Sequence, residues 1–161
     1  MNKHLNIVIL VFLVFPCALF SQIVPYDLKL EYRQNPEGVD VKKPRFFWKL
    51  KSEETGQYQK SYQLIVSTSQ ENIEKNIGDV YNSKKVRSAK TTQIVYKGKP
   101  LQPATQYYWK VRVWDKNNIP NWSKTATFST GLFSADDWKG AQWIAWRNQE
   151  EWEAEWWRKK K

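Results

Sequence analysis

The residues best suited to chemistry are carboxylates that fall in pairs, set among many aromatic rings. Glu53-Glu54 and Asp136-Asp137 are adjacent acids, and Glu150, Glu151, Glu153 and Glu155 crowd the end of the chain. Two carboxyl groups roughly 6.5–9.5 Å apart can divide the acid and base roles of a hydrolysis that inverts an acetal carbon. Adjacent side chains point in different directions, however, and acids in polar loops or at turns tend to accept hydrogen bonds from nearby backbone amides. Both pairs are therefore expected to be solvated or capping, and the four glutamates to form a charged face. No catalytic residue is expected.

The remaining chemistry is limited by what the chain lacks. Lys3, the apolar run Leu5 to Phe15 and the small residues Ala18 and Ser21 read as an export signal, removed near Gln22. The run is too short for a transmembrane helix, which needs about 20 residues. Pro16 stands where a lipoprotein signal takes a small residue, so lipid anchoring at Cys17 is not expected. The only His (His4), the only Cys (Cys17) and the only Met (Met1) leave with the signal. What remains has no imidazole or thiolate for nucleophilic catalysis or zinc, and no disulfide. The six glycines are too scattered to cradle a phosphate. Neither a cofactor nor a metal is expected. The net charge is +10, or +9 without Lys3, and the cations are spread along the chain except at Lys159 to Lys161. That spread, together with export, argues against a nucleic-acid partner. The exported product is expected to be periplasmic or extracellular, with no membrane association once the signal is gone.

The 161 residues hold one ordinary domain with something short at either end: residues 1–21 as signal, 22–132 as the domain, and 133–161 as a linker leading into a second domain that is cut short. From Gln22 to Gly131 the hydrophobic pattern has period two, interrupted by turn residues, which predicts half-buried antiparallel strands. The first alternates Leu28, Leu30 and Tyr32 against charged neighbours. Arg45 to Leu50 turns Phe46, Trp48 and Leu50 to one side, and Ser61 to Ser69 points Tyr62, Leu64 and Val66 inward. Gln70 to Gly78 is polar with one helical turn, and short strands are expected at Val80 to Ser83 and Gln93 to Tyr96. The longest strand, Gln106 to Asp115, sets Tyr107, Trp109, Val111 and Val113 against Tyr108, Lys110, Arg112 and Trp114. Asn117-Asn118 closes a hairpin, and Lys124 to Thr130 is the last strand. About seven short strands without long crossovers predict an all-β, immunoglobulin-like sandwich.

The segment Leu101-Gln102-Pro103-Ala104-Thr105-Gln106-Tyr107 resembles the L-x-P-x-T-x-Y signature of fibronectin type III domains. The resemblance implies that Leu101 plugs the core, that Tyr107 forms a tyrosine corner, and that Trp48 is a core residue beside Trp109. In order and spacing, Pro44-Arg45-Phe46-Phe47-Trp48, Gly78-Asp79-Val80-Tyr81-Asn82-Ser83, Tyr107 through Asp115, and Asp137-Trp138 through Trp143-Ile144 are similar to the amino-terminal region of bacterial α-L-rhamnosidases of glycoside hydrolase family seventy-eight. In that family the domain precedes further sandwiches and a catalytic barrel, none of whose motifs occurs here.

The resemblance implies a non-catalytic accessory domain of a secreted enzyme that hydrolyses terminal α-L-rhamnose. Its partners would be the later domains of the same polypeptide. Ten tryptophans also permit the rival reading of a carbohydrate-binding module for a rhamnose-containing glycan, because a flat ring matches the apolar face of a pyranose. Tyr108 and Trp114, outward on the longest strand and interleaved with Lys110 and Arg112, are expected to form a packed outer face, stiffened by cation–π contacts or covered by a neighbouring domain; with Trp138 and Trp143, beyond the last strand, they are the candidate docking or glycan-binding surface.

Overall fold

The computed structural model describes residues 22–142 together with Trp156 and Arg158. The expected export signal and Trp143 lie outside the described residues. Strands β1 (Val24–Leu30), β2 (Arg45–Lys51) and β5 (Ile94–Val95) form an antiparallel sheet in the order β1-β2-β5. Strands β3 (Ser61–Ser67), β4 (Tyr81–Asn82), β6 (Gln106–Trp114), β7 (Pro120–Trp122) and β8 (Ala126–Ser129) form the second sheet. Its order is β4-β3-β6, with β7 and β8 paired to successive halves of the far side of β6.

The two sheets enclose one core. Leu30, Phe46 and Trp48 from the first sheet meet Leu64, Val66, Tyr107, Trp109, Val111, Val113 and Phe128 from the second. The alternation on β6 supplies four of these side chains from a single strand, and β3 contributes the facing apolar set of the same sheet. The Phe46 ring reaches across to Trp109 edge-on at 4.8 Å, a geometry that brings the positive ring edge to the negative face.

Two local departures from the predicted pattern have physical causes. Asp27 adopts a left-handed conformation (φ 48°) and the β1–β2 register shifts between Tyr26 and Lys29. The strand ends at Leu30, and Glu31 and Tyr32 follow with positive φ. Tyr32 is thus not on the inner face but 57% exposed, lying against Phe47 with the ring centroids 4.4 Å apart.

The last strand is also shorter than the expected Lys124 to Thr130, and a separate strand, β7, precedes it. Between β7 and β8, Ser123 keeps the ladder connected: its N–H donates to the Val111 carbonyl (2.8 Å) and its hydroxyl accepts from the Val111 N–H (3.1 Å). Helix α1 (Gln70–Glu74), capped by the Ser69 hydroxyl, places buried Ile73 on the outer face of the second sheet and packs on β3 and β6.

Candidate functional site

Trp48, Leu101, Tyr107 and Trp109 are buried. The Tyr107 hydroxyl accepts a hydrogen bond from the Gln102 N–H at 2.8 Å, the tie of a tyrosine corner. Thr130 holds the same corner from the end of β8, its hydroxyl donating to the Gln102 carbonyl (2.6 Å). Removing the acceptor while keeping the ring should leave that N–H unpaired, so Tyr107→Phe is expected to lose about 1–3 kcal/mol of unfolding free energy, measured by urea denaturation.

Sequence reasoning missed Gln59. This buried side chain accepts from the Trp48 indole N–H (2.9 Å) and donates to the Ser88 and Lys90 carbonyls (2.9 and 3.0 Å), pinning β2 to the loop before β5. Its only sequence signal is its position two residues before β3, beside a strand-edge loop.

The outer face of β6 is built differently from an open platform. Trp114 is only 9% exposed, because the Lys85 ammonium (4.5 Å) and the Arg112 guanidinium (5.0 Å) lie over its ring. Arg112 also faces Trp122 at 5.6 Å, and Lys110 sits 5.1 Å from the same ring. The result is a cation–π ladder that joins β6, β7 and the loop after β4. Lys110 is 8% exposed, and desolvation lowers its pKa. Tyr108 is half-buried. The expected cation–π packing of Trp114 is thus present through Arg112, and Lys85 adds a cover that strand alternation does not reveal. Trp138 ends a 3-10 turn, Ala135–Trp138, and is 57% exposed.

One member of each carboxylate pair is engaged in local structure. Glu54 accepts from Lys116 (2.7 Å) and Gln57 (2.8 Å), which hold its pKa below the usual value. Asp137 accepts from the Phe133 and Ser134 backbone N–H groups, both at 2.8 Å, and these bonds lower its pKa. Asp27, beside Lys49 (2.9 Å) and bonded to Gln34, is held down at about 2. Each of these groups favours its ionised, accepting form, which is the opposite of a poised general acid. Among the described residues no three His, Cys, Asp or Glu side chains are placed to hold a metal ion, and no helix is long and apolar enough to cross a membrane.

Burial raises the pKa values of Tyr62, Tyr81 and Tyr96. A group raised in the folded state contributes stability that is complete below its unfolded pKa and is lost as the pH climbs through the folded one. The melting temperature should therefore hold up to about pH 10, the ordinary tyrosine value, and fall above it. Tyr96→Phe should shrink that fall. Calorimetric scans across the alkaline range check both.

Residues 25–134 match the family described as Rha78A-like, N-terminal immunoglobulin domain. An α-L-rhamnosidase of Formosa agariphila is 41% identical over 120 residues, covering 74% of this chain and 13% of that protein. One of Streptomyces avermitilis is 38% identical over 117 residues, or 72% of this chain and 11% of that protein. Among solved structures, the α-L-rhamnosidase from Dictyoglumus thermophilum superposes with a TM-score of 0.71 at 44% identity, over 78% of this chain and 14% of its own. The Streptomyces avermitilis enzyme complexed with L-rhamnose gives 0.71 at 36%, over 77% and 12%. The chain thus spans between 11% and 14% of the length of these relatives.

Proposed function

Because the chain belongs to the Rha78A-like amino-terminal immunoglobulin domains, we propose that it is a non-catalytic accessory domain of a secreted α-L-rhamnosidase, one that packs against and orients the domains following it. The observation that carries this reading is the match to an amino-terminal immunoglobulin domain that spans 11–14% of the α-L-rhamnosidases it resembles, and it is supported by Glu54 and Asp137, one from each adjacent pair, accepting hydrogen bonds from local partners. Export through residues 1–21 is part of the same proposal.

Two measurements test it. The chain alone should release no rhamnose from an aryl rhamnoside, and release above the blank overturns the non-catalytic reading. Deleting the matching region from the Formosa agariphila enzyme should lower its melting temperature and its kcat. An unchanged enzyme would remove the accessory role. Glycan binding through Trp114 is less well supported, because that ring already carries two cations. Saturable calorimetric binding of a rhamnose-containing glycan, abolished by Trp114→Ala, would restore it.

A further inference from the structure

A cleft of about 400 Å³ opens along the side of the sandwich where the outer edge of β1 meets the β7–β8 margin of the other sheet. That size falls within the range of small-molecule sites, about 300–1,000 Å³. Its two rings are Tyr26, 41% exposed, and Trp122. Arg112 at 5.6 Å and Lys110 at 5.1 Å hold Trp122 from the β6 side, so this ring is set in place before anything binds.

The polar groups around the rings have bonding capacity to spare. Asn35 accepts from the Thr127 N–H through Oδ1 (3.0 Å), which fixes the orientation of its amide and leaves Nδ2 without a partner among the described residues. Gln34 donates from Nε2 to Asp27 (2.6 Å) and keeps Oε1 as an acceptor. Asp27 itself is satisfied: one oxygen takes the Gln34 bond, and the other faces Lys49 (2.9 Å) and Lys29 (3.4 Å). Lys51, 6.0 Å from the Tyr26 ring centroid, and Lys124 also line the cleft. Among the described residues neither of these two ammonium groups lies in an ion pair.

The rings suit a flat apolar face, the two carboxamides suit hydroxyls that both donate and accept, and the unpaired cations suit a negative charge. A pyranose that carries a carboxylate offers all three. We infer that this cleft is a binding site for an acidic glycan, with a sugar ring against Tyr26 and Trp122 and a uronate carboxylate at Lys51 and Lys124. The site is separate from Trp114, and it does not depend on the accessory-domain reading.

Calorimetric titration of the 161-residue chain with tetragalacturonate should show saturable binding at physiological salt, where long-range attraction between exposed charges is screened. Cellotetraose, which has the rings without the carboxylates, and tetraglutamate, which has the carboxylates without the rings, should each bind at least about tenfold more weakly. K51Q/K124Q should weaken tetragalacturonate binding about tenfold, and Tyr26→Ala about fivefold. All three side chains are exposed, so both variants should melt with the wild type. K90Q/K97Q removes the same charge at exposed sites outside the cleft and should bind as the wild type does.

No binding of tetragalacturonate, or binding untouched by K51Q/K124Q and Tyr26→Ala, overturns the inference. Equal binding of tetraglutamate, or an equal loss in K90Q/K97Q, would show attraction to net charge alone and overturn it too. Equal binding of cellotetraose would overturn the acidic assignment. Rhamnose release by this chain, or an unchanged Formosa agariphila enzyme after the deletion, would defeat the accessory reading and leave this site standing.

Discussion

Trp109→Ala is expected to lower the unfolding free energy by about 3–5 kcal/mol, the range for deleting a buried large ring. Trp109 is buried at the centre of the sandwich, facing Phe46 of the opposite sheet and paired along β6 with Val66 on one side and Ala126 on the other. Neither sheet can close over the void, because its backbone is fixed by ladders on both sides of β6. Against a typical domain stability of about 5–15 kcal/mol, this is a large share of the total. The urea midpoint should fall while the slope of the transition is kept. Trp114→Ala, on the outer face, is the comparison: its ring is covered by flexible cations that can resettle, so its loss should be distinctly smaller. Equal losses would mean that Trp109 is not the keystone described.

Gly78→Ala should cost about 2–3 kcal/mol by overpacking, although it adds a single methyl group. Gly78 lies between α1 and β4, where an added Cβ would fall 2.2 Å from the Tyr81 carbonyl oxygen and 2.9 Å from the Ile65 Cβ. The first of these is backbone and cannot rotate away. Relief requires moving β4 from β3, or lifting α1 from the sheet. Gly56 offers the contrast: an added Cβ there meets nothing within 4 Å, and the residue is needed only for its φ of 75°. Gly56→Ala should therefore cost about 1 kcal/mol through backbone strain alone. Thermal melting of the two variants side by side checks the ranking.

Much of the architecture was legible because one physical rule wrote it. Along β2, β3 and β6, residues that face the opposite sheet must be apolar, so Phe46, Trp48, Leu64, Val66, Tyr107 and Trp109 could be assigned to the core from alternation alone. The signature from Leu101 to Tyr107 fixed the corner, since its hydroxyl and its backbone partner are five residues apart.

What escaped the sequence is of two kinds. Left-handed backbone at non-glycine residues such as Asp27, Glu31 and Tyr32 leaves no compositional mark, so neither the bulge in β1 nor the turn after Leu30 that sends Tyr32 outward could be anticipated. Long-range covers are equally silent. Lys85 over Trp114, α1 over the second sheet and Gln59 beneath Trp48 are each set by tertiary placement, and alternation assigns such residues to solvent or loop by default. On the candidate surface, Trp138 is exposed, while Trp114 lies beneath Arg112, its neighbour on the strand, and Lys85, which is distant in sequence.

The margins of the two sheets have a consequence for a domain handled on its own. β4 and β5 are two residues each, the far side of β6 is covered by two short strands, β7 and β8, in place of one long one, and β1 is bent at Asp27 with Lys29 and Lys49 beside it. Among the described residues, a neighbouring molecule seeking to extend either sheet would find no long, flat row of free amides and carbonyls to copy, which is how natural β proteins discourage edge-to-edge aggregation. The isolated domain should accordingly stay in solution at concentrations where a sandwich with one straight, uninterrupted border would form fibrils.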